Sequence, residues 1–109
     1  MVTVKEYNDI VATIGNYIDG HHEGSGMMKK AFHPNAMING EPIQTLFDAI
    51  DKSEKLYPDS RLDILSVIGG IACARVVLEN CGGKNYIDFL QLMKTDGAWK
   101  IISKIYHEY

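Results

Sequence analysis

Asp88 is the side chain in this sequence best placed to do chemistry, because it is the one acidic residue set inside an apolar stretch, Tyr86-Ile-Asp88-Phe-Leu90. A carboxylate among strand-forming residues needs an explanation, either as a hydrogen-bonded buried acid, as a proton-transfer group, or as a residue at the sheet's edge. Tyr17 is a second candidate, readable from its place on a helical stripe as a core tyrosine with its hydroxyl satisfied. His21-His22-Glu23 invites a metal reading, but neighbours on a helix point about 100° apart, so His21 and His22 cannot share one ion. No His-x-x-x-His or Cys pair offers another set of ligands, and neither a metal nor any other cofactor is expected. His33, just before Pro34, reads as a turn residue. Arg75 lies among apolar neighbours and is expected to pair with Asp63 or Asp88, or to bind an anionic ligand group. Nucleophile elbows and phosphate-binding loops have no counterpart in the chain.

The elements that must position these residues can be read locally. Thr3-Val-Lys-Glu6 has the form of a capping box and predicts a helix start. Behind it Tyr7, Ile10, Val11, Ile14, Tyr17, Ile18 and His21 recur at helical spacing, a stripe that should lie across a sheet. Met27, Met28, Ala31 and Phe32 suggest a short second helix stopped by Pro34, and Leu46, Phe47 and Ile50 a third. Ala36-Met37-Ile38 reads as a short strand turning at Asn39-Gly40. Arg61–Ile68 and Ile71–Glu79 form a hairpin across Gly69-Gly70, and Tyr86–Lys94 and Trp99–Tyr106 another across Asp96-Gly97. With two-residue turns, the last hairpin sets Leu92 opposite Ile101, Leu90 opposite Ser103, Asp88 opposite Ile105 and Tyr86 opposite His107; a bulge would exchange faces. Lys104 and Tyr106 fall on the other face, with Phe89 and Met93. Both faces are partly apolar, so one should receive the helices and the other something else, a second copy of the chain being one candidate.

A chain of 109 residues makes one domain, and by size it should bury roughly two thirds of its unfolded surface. The net charge of −3, with no basic run longer than Lys29-Lys30, argues against nucleic-acid or anionic-membrane partners. No apolar run is long enough to span a membrane, and Lys5-Glu6 follow Met1-Val-Thr-Val directly, so a cytoplasmic protein is expected. Cys73 and Cys81 make no disulfide framework and suit a reducing compartment. Helices first and an antiparallel meander last is an α+β pattern.

Several stretches together resemble the nuclear transport factor 2-like superfamily: Tyr17-Ile-Asp-Gly, Met28-Lys-Lys-Ala-Phe32-His-Pro-Asn-Ala36, Ile71-Ala-Cys-Ala-Arg-Val, and Asp88-Phe-Leu-Gln-Leu-Met-Lys-Thr-Asp-Gly-Ala-Trp-Lys-Ile101. The nearest likeness is to its lumazine-binding and SnoaL-like members. The resemblance implies a cone, three N-terminal helices packed on a curved antiparallel sheet, with a pocket in the cone and homodimers through the sheet. It implies a pocket lined by Tyr17, His21, Phe32, Met37, Leu65, Ala74, Asp88 and Leu90, holding a small hydrophobic or aromatic ligand. In the ketosteroid isomerase-like branch Tyr17 matches the tyrosine donor, while the aspartate base falls at Asn39 or Gly40, with Glu41 one or two residues on. The leading expectation is a small-molecule-binding domain. The alternatives are an isomerase or dehydratase using Asp88 or Glu41 as base and Tyr17 as donor, and a dimeric protein-interaction module.

Overall fold

Thr3 starts the first helix as its sequence predicts, its Oγ1 accepting the Glu6 amide at 3.1 Å. Glu6 does not complete the box; its carboxylate instead meets Lys94 Nζ at 3.2 Å and ties the helix start to the sheet. The computed structural model describes residues 1–109. Helix α1 runs Val4–Glu23 and is followed by the short α2, Ser25–Lys29. Then come strands β1, Phe32–Ile38, and β2, Glu41–Pro42, helix α3, Gln44–Lys52, and the long strands β3, Asp59–Ile68, β4, Ile71–Cys81, β5, Lys84–Thr95, and β6, Ala98–Glu108. The architecture is α+β: one six-stranded sheet in the order β2-β1-β6-β5-β4-β3, with the helices against it. The three helices are not all N-terminal, because β1 and β2 separate α2 from α3. Nor is the sheet wholly antiparallel, since β1 pairs with β6 in parallel.

The buried stripe of α1 is narrower than its periodicity suggests. Ile10, Ile14, Tyr17 and His21 are buried, whereas Tyr7 and Val11 stay exposed at the helix's margin. The stripe meets Val76, Leu90, Leu92, Trp99 and Ile101 from the sheet in one continuous core. Gly20 lets α1 and α2 touch, for a Cβ there would sit 2.5 Å from Met28 Cβ. Pro34 does not end a helix; it lies in β1, where the pairing with β6 is interrupted between Phe32 and Met37, so its missing N–H costs no ladder bond. His33 holds that irregular stretch, its Nδ1 accepting the Asn35 amide at 3.0 Å.

Both long hairpins form at the expected turns. Asp96 and Gly97 have φ of +51° and +80°, the left-handed pair that a type I′ turn needs. Leu65 pairs with Ala74 and Val67 with Ala72, as anticipated. In the last hairpin Leu92 does face Ile101, but beyond it the register shifts by one: Leu90 opposes Lys104, Asp88 opposes Tyr106 and Tyr86 opposes Glu108. Ile102 is the extra residue, a bulge between the Leu92–Ile101 and Gln91–Ser103 pairs. The shift carries Lys104 and Tyr106 to the inner face and sends Ile105 outward beside Phe89. No helix is long and apolar enough to cross a membrane.

Candidate functional site

Between α1, α3 and the inner face of β4, β5 and β6 lies a cavity of about 420 Å³, ten of whose fifteen lining residues are hydrophobic. That is within the size range of small-molecule sites. The C-terminal half of α1 supplies Tyr17 and His21, α3 supplies Leu46 and Ile50, and the strands supply Asp88, Lys104 and Tyr106.

At its floor the Tyr17 hydroxyl donates to Asp88 Oδ2 at 2.6 Å, and both residues are completely buried. The other carboxylate oxygen, Oδ1, is buried with no hydrogen-bond partner. Arg75 Nε, Thr95 Oγ1 and Trp99 Nε1 are also unpartnered, but none of those residues lines the cavity. Burial, and then the neighbouring Asp88 charge, pushes the Tyr17 phenol well above its ordinary value, so it stays a proton donor to Asp88 at any ordinary pH. The His21 ring meets Tyr17 edge-on at 5.3 Å, with Nδ1 2.9 Å from the Ile18 carbonyl. A carbonyl only accepts, so the neutral ring carries its proton on Nδ1 and leaves Nε2 free as an acceptor. Burial, reinforced by Lys104, lowers the His21 pKa and keeps that neutral form dominant near neutrality.

Lys104 is the residue the sequence reading missed. Only 5% exposed, it holds Nζ 4.4 Å from the centre of the Tyr17 ring and 5.4 Å from that of Tyr106. Burial pulls its pKa below the ordinary lysine range, against the opposing pull of Asp88. The adjacent pair Ile101-Ile102, which breaks strand alternation, is the one local sign of the bulge that turns it inward.

Among the other candidates, Phe32, Ala74 and Leu90 are core residues outside the cavity, and Leu65 packs partly buried against that core. Met37 is exposed. Glu41 is exposed on β2, the outermost strand, and does not line the cavity. Asn39 is used structurally: its amide donates to the Lys104 carbonyl at 2.9 Å and its Oδ1 accepts the Tyr106 amide at 3.0 Å. Arg75 pairs with neither expected carboxylate; Asp63 is taken by Arg61, and Arg75 lies between Ile64 and Phe89 on the outer face, opposite to Asp88's. His22 does not line the cavity; its ring is stacked on Tyr57 at 4.8 Å and lies near Glu23.

Against known proteins, residues 5–107 match the family described as "Putative lumazine-binding". The chain belongs to that family, within the NTF2-like superfamily. The aldolase FrzH of a Cladobotryum species is 33% identical over an alignment of length 119, which covers 99% of this chain and 95% of that protein. An NTF2-like protein of unknown function from Shewanella baltica has the same fold at a TM-score of 0.93, with 31% identity over 100% of this chain and 98% of its own. A second, from Methylobacillus flagellatus, gives a TM-score of 0.90 and 27% identity, covering 99% and 95% of the two chains.

Proposed function

We propose that the cavity binds a small carbonyl compound with an apolar body, and that Asp88 removes a proton from the carbon next to the carbonyl for chemistry of the aldol type. The observation that carries this reading is the state of Asp88: one oxygen fixed by Tyr17 at 2.6 Å, the other buried, unpartnered, in a residue that lines an apolar cavity. A carboxylate so held is a poised base, since the lone pairs of the unpartnered oxygen are where a substrate proton would go. Tyr17 is then a positioning residue that sets the carboxylate's orientation. Lys104 lines the same cavity, within which the carbonyl group would lie. The likeness to a protein named an aldolase supports this class of reaction.

The test is hydrogen exchange in deuterated water, followed by NMR, with acetone, propanal and phenylacetone as probes. Wild-type protein should label the carbon beside the carbonyl above the buffer rate. Asp88→Asn should lose about 100-fold or more of that rate, the ordinary scale of a general base. Exchange that is absent from the wild type with all three probes, or undiminished in Asp88→Asn, would sink the reading.

We propose further that the chain forms a homodimer through the outer sheet face. Its support is a row of neighbouring residues across four strands, Ile64, Arg75, Phe89 and Ile105, in which Ile64, Phe89 and Ile105 are exposed. The two free cysteines, Cys73 and Cys81, are consistent with a reducing, cytoplasmic setting.

A further inference from the structure

We infer that Lys104 is a covalent anchor in this cavity, its Nζ taking up a small aldehyde or ketone as an imine while Asp88 removes a proton from the adjacent carbon. The inference deepens the function proposed above and takes its substrate class, a carbonyl compound, from that reading.

Its basis is the contrast between Lys104 and lysines held for structure. Lys5 meets Asp9 at 2.7 Å, Lys94 meets Glu6 at 3.2 Å and Lys84 meets Glu108 at 3.5 Å. Lys100 donates to the Lys30 carbonyl at 2.7 Å. All four are surface contacts with an oxygen. Lys104 is the buried lysine, yet no carboxylate oxygen lies within 4.0 Å of its Nζ. A lysine inside a protein is ordinarily paired, or lifts its charge to water along its stem. This one is turned inward by the Ile102 bulge onto two tyrosine faces, and it lines the same cavity as Asp88. Burial enlarges the fraction of Nζ present as the free amine, the form that attacks a carbonyl.

The chemistry balances without an oxidant or reductant. A proton leaves Nζ, the amine adds to the carbonyl carbon, and a C–N bond forms as the C=O π bond breaks. The oxygen departs as water with two of the three hydrogens the ammonium began with, and the third remains on the iminium nitrogen. Asp88 Oδ1 takes a proton from the neighbouring carbon, and the freed electron pair makes the enamine double bond. That carbon can then attack a second carbonyl, whose oxygen takes up the proton held on Asp88 as its π bond breaks, after which water hydrolyses the iminium and restores Lys104. The same cavity is lined by Leu46, Ile50, Leu56 and Leu78, which favours a ligand with an apolar body.

The test treats the whole chain with acetone, propanal or phenylacetone, then with sodium borohydride, which reduces an imine to a stable secondary amine. Intact mass and peptide mapping read the result. We expect one adduct per chain on Lys104 and its loss in Lys104→Met, with Lys104 retaining the adduct in Asp88→Asn. The map of the wild-type protein is decisive by itself, whatever the variants do to folding. Adducts confined to other lysines, or no adduct with any probe, overturn the proposal. Deuterium exchange that persists in Lys104→Met without an adduct in the wild type overturns the imine and leaves the base chemistry standing. An adduct on Lys104 without exchange supports the imine and removes the base reading.

Discussion

Replacing Tyr17 by Phe deletes one oxygen and leaves the ring's packing against Phe32 and His21, and its face towards Lys104, in place. What is lost is a 2.6 Å hydrogen bond to a fully buried carboxylate. A hydrogen bond to a charged partner contributes about 1.5–3 kcal/mol net, and here Asp88 is left with no partner on either oxygen, so the upper half of that range applies. A loss of about 2–3 kcal/mol lowers Tm by roughly 10 °C in a domain of this size. Urea unfolding at neutral pH measures it directly, as a fall in the midpoint at constant slope. Tyr106→Phe, whose hydroxyl makes no hydrogen bond within the chain, is the control and should stay within about 0.5 kcal/mol. Asp88→Leu strands the Tyr17 hydroxyl while removing the bare carboxylate oxygen, and the double variant should cost less than the sum of the two single ones, because then neither group is left unpaired. The pH dependence follows from the same bond. The phenol's pKa is raised in the folded chain above its ordinary 10.0, so the unfolded chain ionises first and stability is lost as pH climbs past that value. The gap between wild type and Tyr17→Phe should therefore shrink above pH 10.0. A Tyr17→Phe cost under about 0.5 kcal/mol, or additivity in the double variant, would refute the claim that this bond holds Asp88.

Lys104→Met should stabilise the protein by about 1–3 kcal/mol at neutral pH, because it removes the ammonium of a residue only 5% exposed that has no carboxylate oxygen within 4.0 Å. Since the lysine's pKa is lowered by folding, wild-type stability rises with pH towards the ordinary 10.5, and the variant's advantage should narrow there; a variant less stable than wild type at neutral pH contradicts the burial argument. Gly20→Ala should destabilise, by roughly 1–2 kcal/mol, since its Cβ would lie 2.5 Å from Met28 Cβ, while Gly15→Ala on the same helix meets nothing and should stabilise by about 0.5–1 kcal/mol; equal melting temperatures for the two would contradict the close approach. Phe89→Glu places a charge on a residue 58% exposed at the centre of the outer face, and sedimentation velocity should show the dimer become a monomer with its melting little changed. A wild type that sediments as a monomer at every concentration removes the dimer.

What the sequence made legible was local. The Asp96-Gly97 turn, the Thr3 cap and the Gly69-Gly70 hairpin each depend on a few adjacent residues, and each is where the pattern puts it. Tyr17 and Asp88 were legible as individuals, one by its place on a helical stripe and the other as a charge in an apolar strand. Their contact spans 71 positions, and nothing in either neighbourhood encodes it. The bulge at Ile102 escaped for a related reason: a period of two carries no record of a skipped residue beyond the Ile101-Ile102 pair, and one skipped residue exchanges every side chain after it. Lys104 was thereby assigned to the wrong face. The parallel pairing of β1 with β6 and the contribution of α3 to the cavity are likewise tertiary facts, and Pro34 followed a local rule for helix ends that the β1 irregularity overrode.

The cavity is costly to the fold, and that cost is itself an argument for use. At the same depth in the sheet Leu78, Leu90, Leu92 and Ile101 fill their positions with apolar side chains. Asp88 and Lys104 break that rule without the compensation that buried charges usually have, since Asp88 keeps one oxygen bare and Lys104 has no carboxylate oxygen within 4.0 Å. Each such group costs a few kcal/mol in a domain whose whole stability is of the order of 5–15 kcal/mol. Had the two been placed for stability they would face each other as an ion pair; instead Tyr17 orients the carboxylate and two tyrosine rings hold the ammonium. A base and an amine lining one apolar cavity are partners for something that enters between them, and a carbonyl compound with an ionisable neighbouring C–H bond is the ligand whose chemistry uses both.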